Sequence, residues 1–233
     1  MFAFSKIAAP AWAQQLARRM KHTTVSTVDP TLSAPPRVHL RYEHTAGGRL
    51  VLNRRELLTH LANRAVVAEI GVGAGRFSEV ILREAEPHRL HLVDSWASQR
   101  YGDELRQSVE NQFAPEIMSG QVSVHRTDSR GGAALFPSAY FDWIYIDTGH
   151  SYELTRDELR LYSAKVKGSG VIAGHDYSLG NWPRRKRYGV IEAVHEFCVQ
   201  YRWRLAFLTV DPNEGQSFAI VRCSNGCGIG EGH

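Results

Sequence analysis

From Leu50 onward, runs of β-type composition alternate with runs of helical periodicity, and this alternation restricts the chain more than any other feature. VVAEI (66–70), RLHLVD (89–94), QVSVH (121–125), FDWIYID (141–147) and GVIAGH (170–175) read as strands. NRRELLTHLAN (53–63), RFSEVILREA (76–85), DELRQSVENQFAPEIM (103–118), YELTRDELRLYSAKV (152–166) and GVIEAVHEFCVQY (189–201) space apolar residues as helices do, with Gly168 as a stop for the fourth. Strands alternating with helices of this length predict a mostly parallel sheet covered on both faces. The last two strands, RWRLAFLTV (202–210) and QSFAIVR (216–222), are joined only by DPNEG. That link is too short for a parallel crossover, so the pair must be antiparallel. The expected fold class is α/β: a Rossmann-like, doubly wound sheet of seven strands with a terminal antiparallel pair.

Residues 1–49 read as an N-terminal helix followed by an arm or linker, with the Thr/Ser/Pro-rich stretch TTVSTVDPTLSAPP between. Residues 50–222 form the domain, and 223–233 a Gly-rich flexible tail. No run approaches the roughly 18 apolar residues that span a bilayer. The N-terminus lacks the pattern of a signal peptide. Three cysteines, Cys198, Cys223 and Cys227, make no disulfide framework, and Cys223 and Cys227 lack the second pair of a zinc site. A reducing cytoplasm is the expected compartment. A formal charge of +4 suits an anionic small molecule and falls short of a nucleic-acid footprint.

The segment VVAEIGVGAGRF carries the first chemistry. Glu69 closes a strand; Gly71, Gly73 and Gly75 follow at alternate positions; a helix begins at once. Such a turn lets a ligand lie against bare backbone. About twenty residues further on, the next strand ends in Asp94, where an acid takes the ribose hydroxyls of a nucleoside. The spacing is ExGxGxG, not the GxGxxG of dinucleotide sites.

A second constellation lies in IDTGHSYE and GVIAGHDY. Ligands in a doubly wound sheet bind outside the carboxyl ends of the strands. Asp147 ends one strand, His175 and Asp176 the next, and neighbouring strand ends lie about 5 Å apart. Two carboxylates and an imidazole there suit a divalent cation or a general base. His150 and His175 are the base candidates, because imidazole titrates near neutral pH.

ExGxGxG resembles motif I of the class I S-adenosylmethionine-dependent methyltransferases, and the terminal antiparallel pair is similar to theirs. The paired segments IDTGHSYE…DEL and GVIAGHDY…YGVIEAVHEF resemble the branch with macrocin- and novobiocin-type sugar O-methyltransferases and cephalosporin-hydroxylase-like proteins. The resemblance spans roughly Val66 to Phe218. It implies an S-adenosylmethionine site at Glu69, Gly71, Gly73, Gly75, Asp94, Ser95, Trp96, Asp128, Ser129 and Asp147. Trp96 packs on the adenine or serves as a rim or core aromatic. Asp128 sits near the adenine or caps the helix after it.

The resemblance also implies a Mg²⁺ or Mn²⁺ site at Asp147, His175 and Asp176, with Asp147, His150 and His175 catalytic. Where the metal enzymes of this branch carry two acids, this chain has His175-Asp176. That change weakens a hard-cation site, favours a softer ion such as Mn²⁺ or Zn²⁺, or removes metal dependence. The expected function is O-methylation of a small molecule or saccharide, with the basic run Arg184–Arg187 facing an anionic substrate or solvent. The expectation includes no nucleic-acid partner, and the N-terminal arm caps the site or mediates a homo-oligomer. The competing readings are a nicotinamide-dependent oxidoreductase, which leaves the second constellation unexplained, and a non-catalytic S-adenosylmethionine-binding domain.

Overall fold

The computed structural model describes residues 35–181 and 183–223. The expected N-terminal helix and the pairing of Cys227 lie outside these residues. Eight strands form one sheet in the order β1-β9-β10-β6-β5-β2-β3-β4. They are β1 (Arg49–Val51), β2 (Val66–Ile70), β3 (Arg89–Asp94), β4 (Val122–Arg126), β5 (Phe141–Ile146), β6 (Val166–Gly174), β9 (Trp203–Thr209) and β10 (Phe218–Arg222). β10 runs antiparallel to both its neighbours, and all other pairings are parallel. The α/β expectation holds, with one strand more than seven. The addition, β1, pairs with β9 at the sheet edge and is only three residues long, too short to show a period.

Helices α1 (Arg54–Thr59), α2 (Arg76–Ala85), α3 (Asp103–Gln112), α4 (Ala114–Met118), α5 (Ser129–Ala134), α6 (Tyr152–Ser163) and α7 (Val190–Tyr201) complete the domain. The helix expected over 103–118 is divided at Phe113, just before Pro115 in the first turn of α4. Proline is tolerated at a helix start but not inside one. β6 begins at Val166, four residues before its expected start, with a register shift opposite Phe141–Trp143. Val166 belongs to the sheet core, and the strand pattern there is broken by Gly168 and Gly170.

Side chains of the central strands alternate between two cores. Val67, Trp143 and Tyr145 pack with Leu57, Phe77 and Ile81. Ala68, Ile70, Ile144 and Ile146 pack with Leu159, Tyr162 and Val194. Burial on both faces explains why VVAEI and FDWIYI read as nearly unbroken apolar runs. From β2 the chain winds outward through β3 to β4, then returns to β5 on the other side of β2. The strand order therefore reverses between β2 and β5, where ligands of doubly wound sheets bind.

Candidate active site

The glycine loop lies at this reversal. Gly71, Gly73 and Gly75 all adopt positive φ, and Gly75 is the N-cap of α2. At Gly71 the requirement is also steric: a Cβ would stand 2.0 Å from the carbonyl oxygen of Asp147. The Gly71 amide donates to Val93 O at 2.8 Å, and the Asp147 amide to Ile70 O at 2.7 Å. The loop after β2 is thereby locked between the ends of β3 and β5.

Asp94 holds the loop from the other side. Its Oδ2 accepts from the amides of Val72 and Gly73, each at 2.9 Å, and its Oδ1 from the Trp96 amide at 2.9 Å. A carboxylate offers about four lone-pair positions, so three amide donors leave one of them open. Trp96 is buried, at φ +41°, and its indole Nε1 donates to Gly73 O at 3.0 Å. Its place is the core beneath the loop, which it braces. Ser95 lies between Asp94 and Trp96.

Glu69 is buried under the loop and accepts a hydrogen bond from Ser78 of α2. Burial pushes its carboxyl up to about 8, and the Ser78 hydroxyl pulls it back only part way. Asp128 caps α5, accepting from the Gly131 amide at 2.8 Å. Ser129 opens α5, and its carbonyl accepts from Tyr162 Oη at 2.9 Å.

The second constellation converges. The His175 amide donates to Ile146 O at 3.0 Å, bringing the ends of β5 and β6 side by side. One donor atom each from Asp147, His175 and Asp176 lies within 4.8 Å of the others. His175 Nδ1 stands 3.4 Å from Asp176 Oδ2 and 3.9 Å from Asp147 Oδ2. His150 Nδ1 lies 3.3 Å from the same Asp176 oxygen. Asp176 is itself at φ +55°, a left-handed conformation that a non-glycine residue seldom takes and that clusters at functional sites.

The charges respond to this crowding. Burial raises the Asp147 carboxyl above its usual range, against the pull of His175. Burial also lowers His150, against Asp176 and Asp147, so it favours the neutral form. For His175, burial opposes the charge, but the Asp176 contact and the field of Asp147 outweigh it and the proton affinity rises. Asp176 is desolvated too, yet His175 and His150 hold it below the usual carboxylate range.

Residues 68–177, which hold both constellations, match a family described as a methyltransferase domain. No curated protein matches the chain. Solved structures align over most of it. A putative rRNA-methylase from Clostridium thermocellum is 14% identical at a TM-score of 0.57, covering 76% of this chain and 99% of its own. A SAM-dependent methyltransferase from Aquifex aeolicus is 14% identical at 0.53, covering 77% and 91%. The pyocyanin biosynthetic protein PhzM is 12% identical at 0.55, covering 73% of this chain and 54% of its own.

The fold is that of a class I methyltransferase. The matched segment is that of a methyltransferase domain, and these neighbours share the fold around it. Within the methyltransferase fold, four further residues surround the strand-end cluster and were not legible in the sequence. Arg54, first residue of α1, stacks its guanidinium 4.5 Å over Phe77. It also pairs with Glu214 at 3.0 Å and lies 4.0 Å from Asp147 Oδ2. Glu214 and Gly215 arrive from the β9–β10 turn. A Cβ on Gly215 would stand 2.5 Å from Asp176 Oδ1 and 3.1 Å from His175 Cε1. Tyr188 packs its ring 4.4 Å from that of His150. Arg54, Glu214 and Gly215 come from elements distant in sequence and Tyr188 from the connection that follows Asp176, and only the Arg in the first turn of NRREL departs from helical habit, since acids are preferred there.

Proposed function

We propose that the chain transfers a methyl group from S-adenosylmethionine to a hydroxyl of a small molecule, a sugar, glycan or natural product, at the ends of β5 and β6. The observation that carries the reading is the contact between Gly71 and Asp147. It sets the proposed cofactor loop against the end of β5, from which Asp147 enters the strand-end cluster with His175 and Asp176.

The glycine loop suits the cofactor because it presents backbone without side chains, and Asp94 keeps one acceptor position toward a ribose. The cofactor supplies a methyl group on a sulfonium. The acceptor oxygen forms its bond to that methyl carbon as the carbon–sulfur bond breaks and its electron pair stays on sulfur. The hydroxyl proton passes to His150, which burial keeps neutral and hence able to accept it. Asp176, between the two imidazoles, stabilises the imidazolium that forms. Holding the reacting atoms in line supplies much of the remaining acceleration.

The trio Asp147, His175 and Asp176 also fits a divalent cation. Ligand atoms about 2.1 Å from one ion stand roughly 3–4 Å apart, and the observed separations require only a small contraction. Two carboxylates and an imidazole suit Mn²⁺ at least as well as Mg²⁺. When bound, such an ion lowers the pKa of a coordinated hydroxyl.

The test is transfer of labelled methyl from S-adenosylmethionine to a panel of hydroxylated glycosides and phenols, by the native chain and by Asp147→Ala. Transfer by the native chain, lost in the variant while S-adenosylhomocysteine still binds, supports the mechanism. Full transfer by the variant contradicts it.

A further inference from the structure

The connection from β6 to α7 holds a small hairpin, β7 (Gly180–Asn181) and β8 (Lys186–Arg187). The residues that follow it, Tyr188 and Gly189, fasten it to His150. The Gly189 amide donates to His150 O at 2.8 Å and the Tyr188 amide to Leu179 O at 3.1 Å. The Tyr188 ring packs on His150, and Arg187 is paired with Glu192 of α7. Asn181 Oδ1 accepts from the Arg184 amide at 3.0 Å, and Arg185 takes φ +49°, which together set the turn.

The turn brings Arg184, Arg185 and Lys186 together at the surface. Among the described residues these three make no ion pair, whereas Arg187 has Glu192. Three adjacent like charges on a tight turn repel one another, and an anion relieves that cost.

We infer that the acceptor carries an anionic group, phosphate or carboxylate, and that Arg184, Arg185 and Lys186 hold it beside His150. The inference rests on the methyl-transfer reading and names the substrate class of that same site. Guanidinium groups pair bidentately with either anion, and a lysine adds a point charge. A small molecule suits the patch better than RNA. The cations occupy a single hairpin turn, whereas a nucleic-acid footprint needs a basic stripe along a face.

The test uses the full chain saturated with S-adenosylhomocysteine. Inorganic pyrophosphate and, separately, succinate are titrated while the backbone amides of residues 184–189 are followed by NMR. Saturable shifts with at least one anion are expected. The dissociation constant should rise about tenfold or more in R184Q/R185Q/K186Q and several-fold in K186Q, with S-adenosylhomocysteine affinity unchanged. Which of the two anions binds more tightly separates phosphate from carboxylate. Amides that stay still with both anions, or equal affinity in the variants, overturn the inference. So does a 12-nucleotide RNA that binds more tightly than either anion through the same residues. Failure of the native chain to bind S-adenosylhomocysteine contradicts the methyl-transfer reading instead, so the two failures are distinguishable.

Discussion

Gly71 packs against the Asp147 carbonyl so closely that a Cβ at residue 71 would stand 2.0 Å from its oxygen. The two proposed half-sites therefore share a backbone contact. Gly71→Ala adds that clash to the strain of φ +93°. A left-handed conformation alone costs about 1–2 kcal/mol for a residue with a Cβ. The variant is expected to unfold several degrees lower. It should also bind S-adenosylhomocysteine at least tenfold more weakly. Native-like melting and affinity would contradict the packing described.

Gly215 is also closely packed, against the side chains of Asp176 and His175. In Gly215→Ala the new methyl meets Asp176 Oδ1 at 2.5 Å. Displacing Asp176 disturbs both imidazoles that face it. Methyl transfer should fall by tenfold or more while S-adenosylhomocysteine affinity stays within about twofold, since small displacements of reacting groups are costly. Kinetics and calorimetry on one preparation check this, and unchanged turnover would argue against a role for Asp176.

Buried acids predict how stability follows pH. Glu158 of α6 is fully buried, with Thr148 Oγ1 donating to it at 2.7 Å. Burial pushes its carboxyl from 4.5 up to about 7, the hydroxyls of Ser129 and Thr148 offsetting only part. Between those values the folded chain keeps a proton that the unfolded chain has lost. Stability from this group is therefore greatest below pH 4.5 and declines as pH rises to about 7. Glu69 extends the same trend to about 8. Glu158→Gln removes one titration, so its melting temperature should fall less than that of the native chain from pH 5 to pH 8. Parallel curves would show that Glu158 is not held protonated.

The metal trio gives a further expectation. If a cation assists, a chelator should lower methyl transfer about tenfold or more, with Mn²⁺ restoring it at least as well as Mg²⁺. S-adenosylhomocysteine affinity should not change. Transfer unaffected by chelation would leave His150 and Asp176 to act without an ion.

Much of the fold was legible because both faces of the sheet are covered. VVAEI and RLHLVD coincide with β2 and β3 residue for residue, since apolar runs bounded by glycine and acid leave few alternatives. β1 and the β7–β8 hairpin were not legible: strands of two or three residues carry no period and exist only through their partners. At the site, strand ends announced Asp147, His175 and Asp176. Arg54, Glu214, Gly215 and Tyr188 are brought there by long-range packing, which leaves no local pattern. Asp94 shows a different limit. Its position was evident, but its three amide partners depend on the exact path of the glycine loop.

The most direct measurement is a calorimetric titration of the full chain with S-adenosylhomocysteine, which requires no knowledge of the acceptor. The account predicts one-to-one binding with a micromolar dissociation constant, weakened at least tenfold by Asp94→Ala, which both frees the glycine loop and removes the ribose acceptor. A well-folded native chain that shows no binding would contradict it.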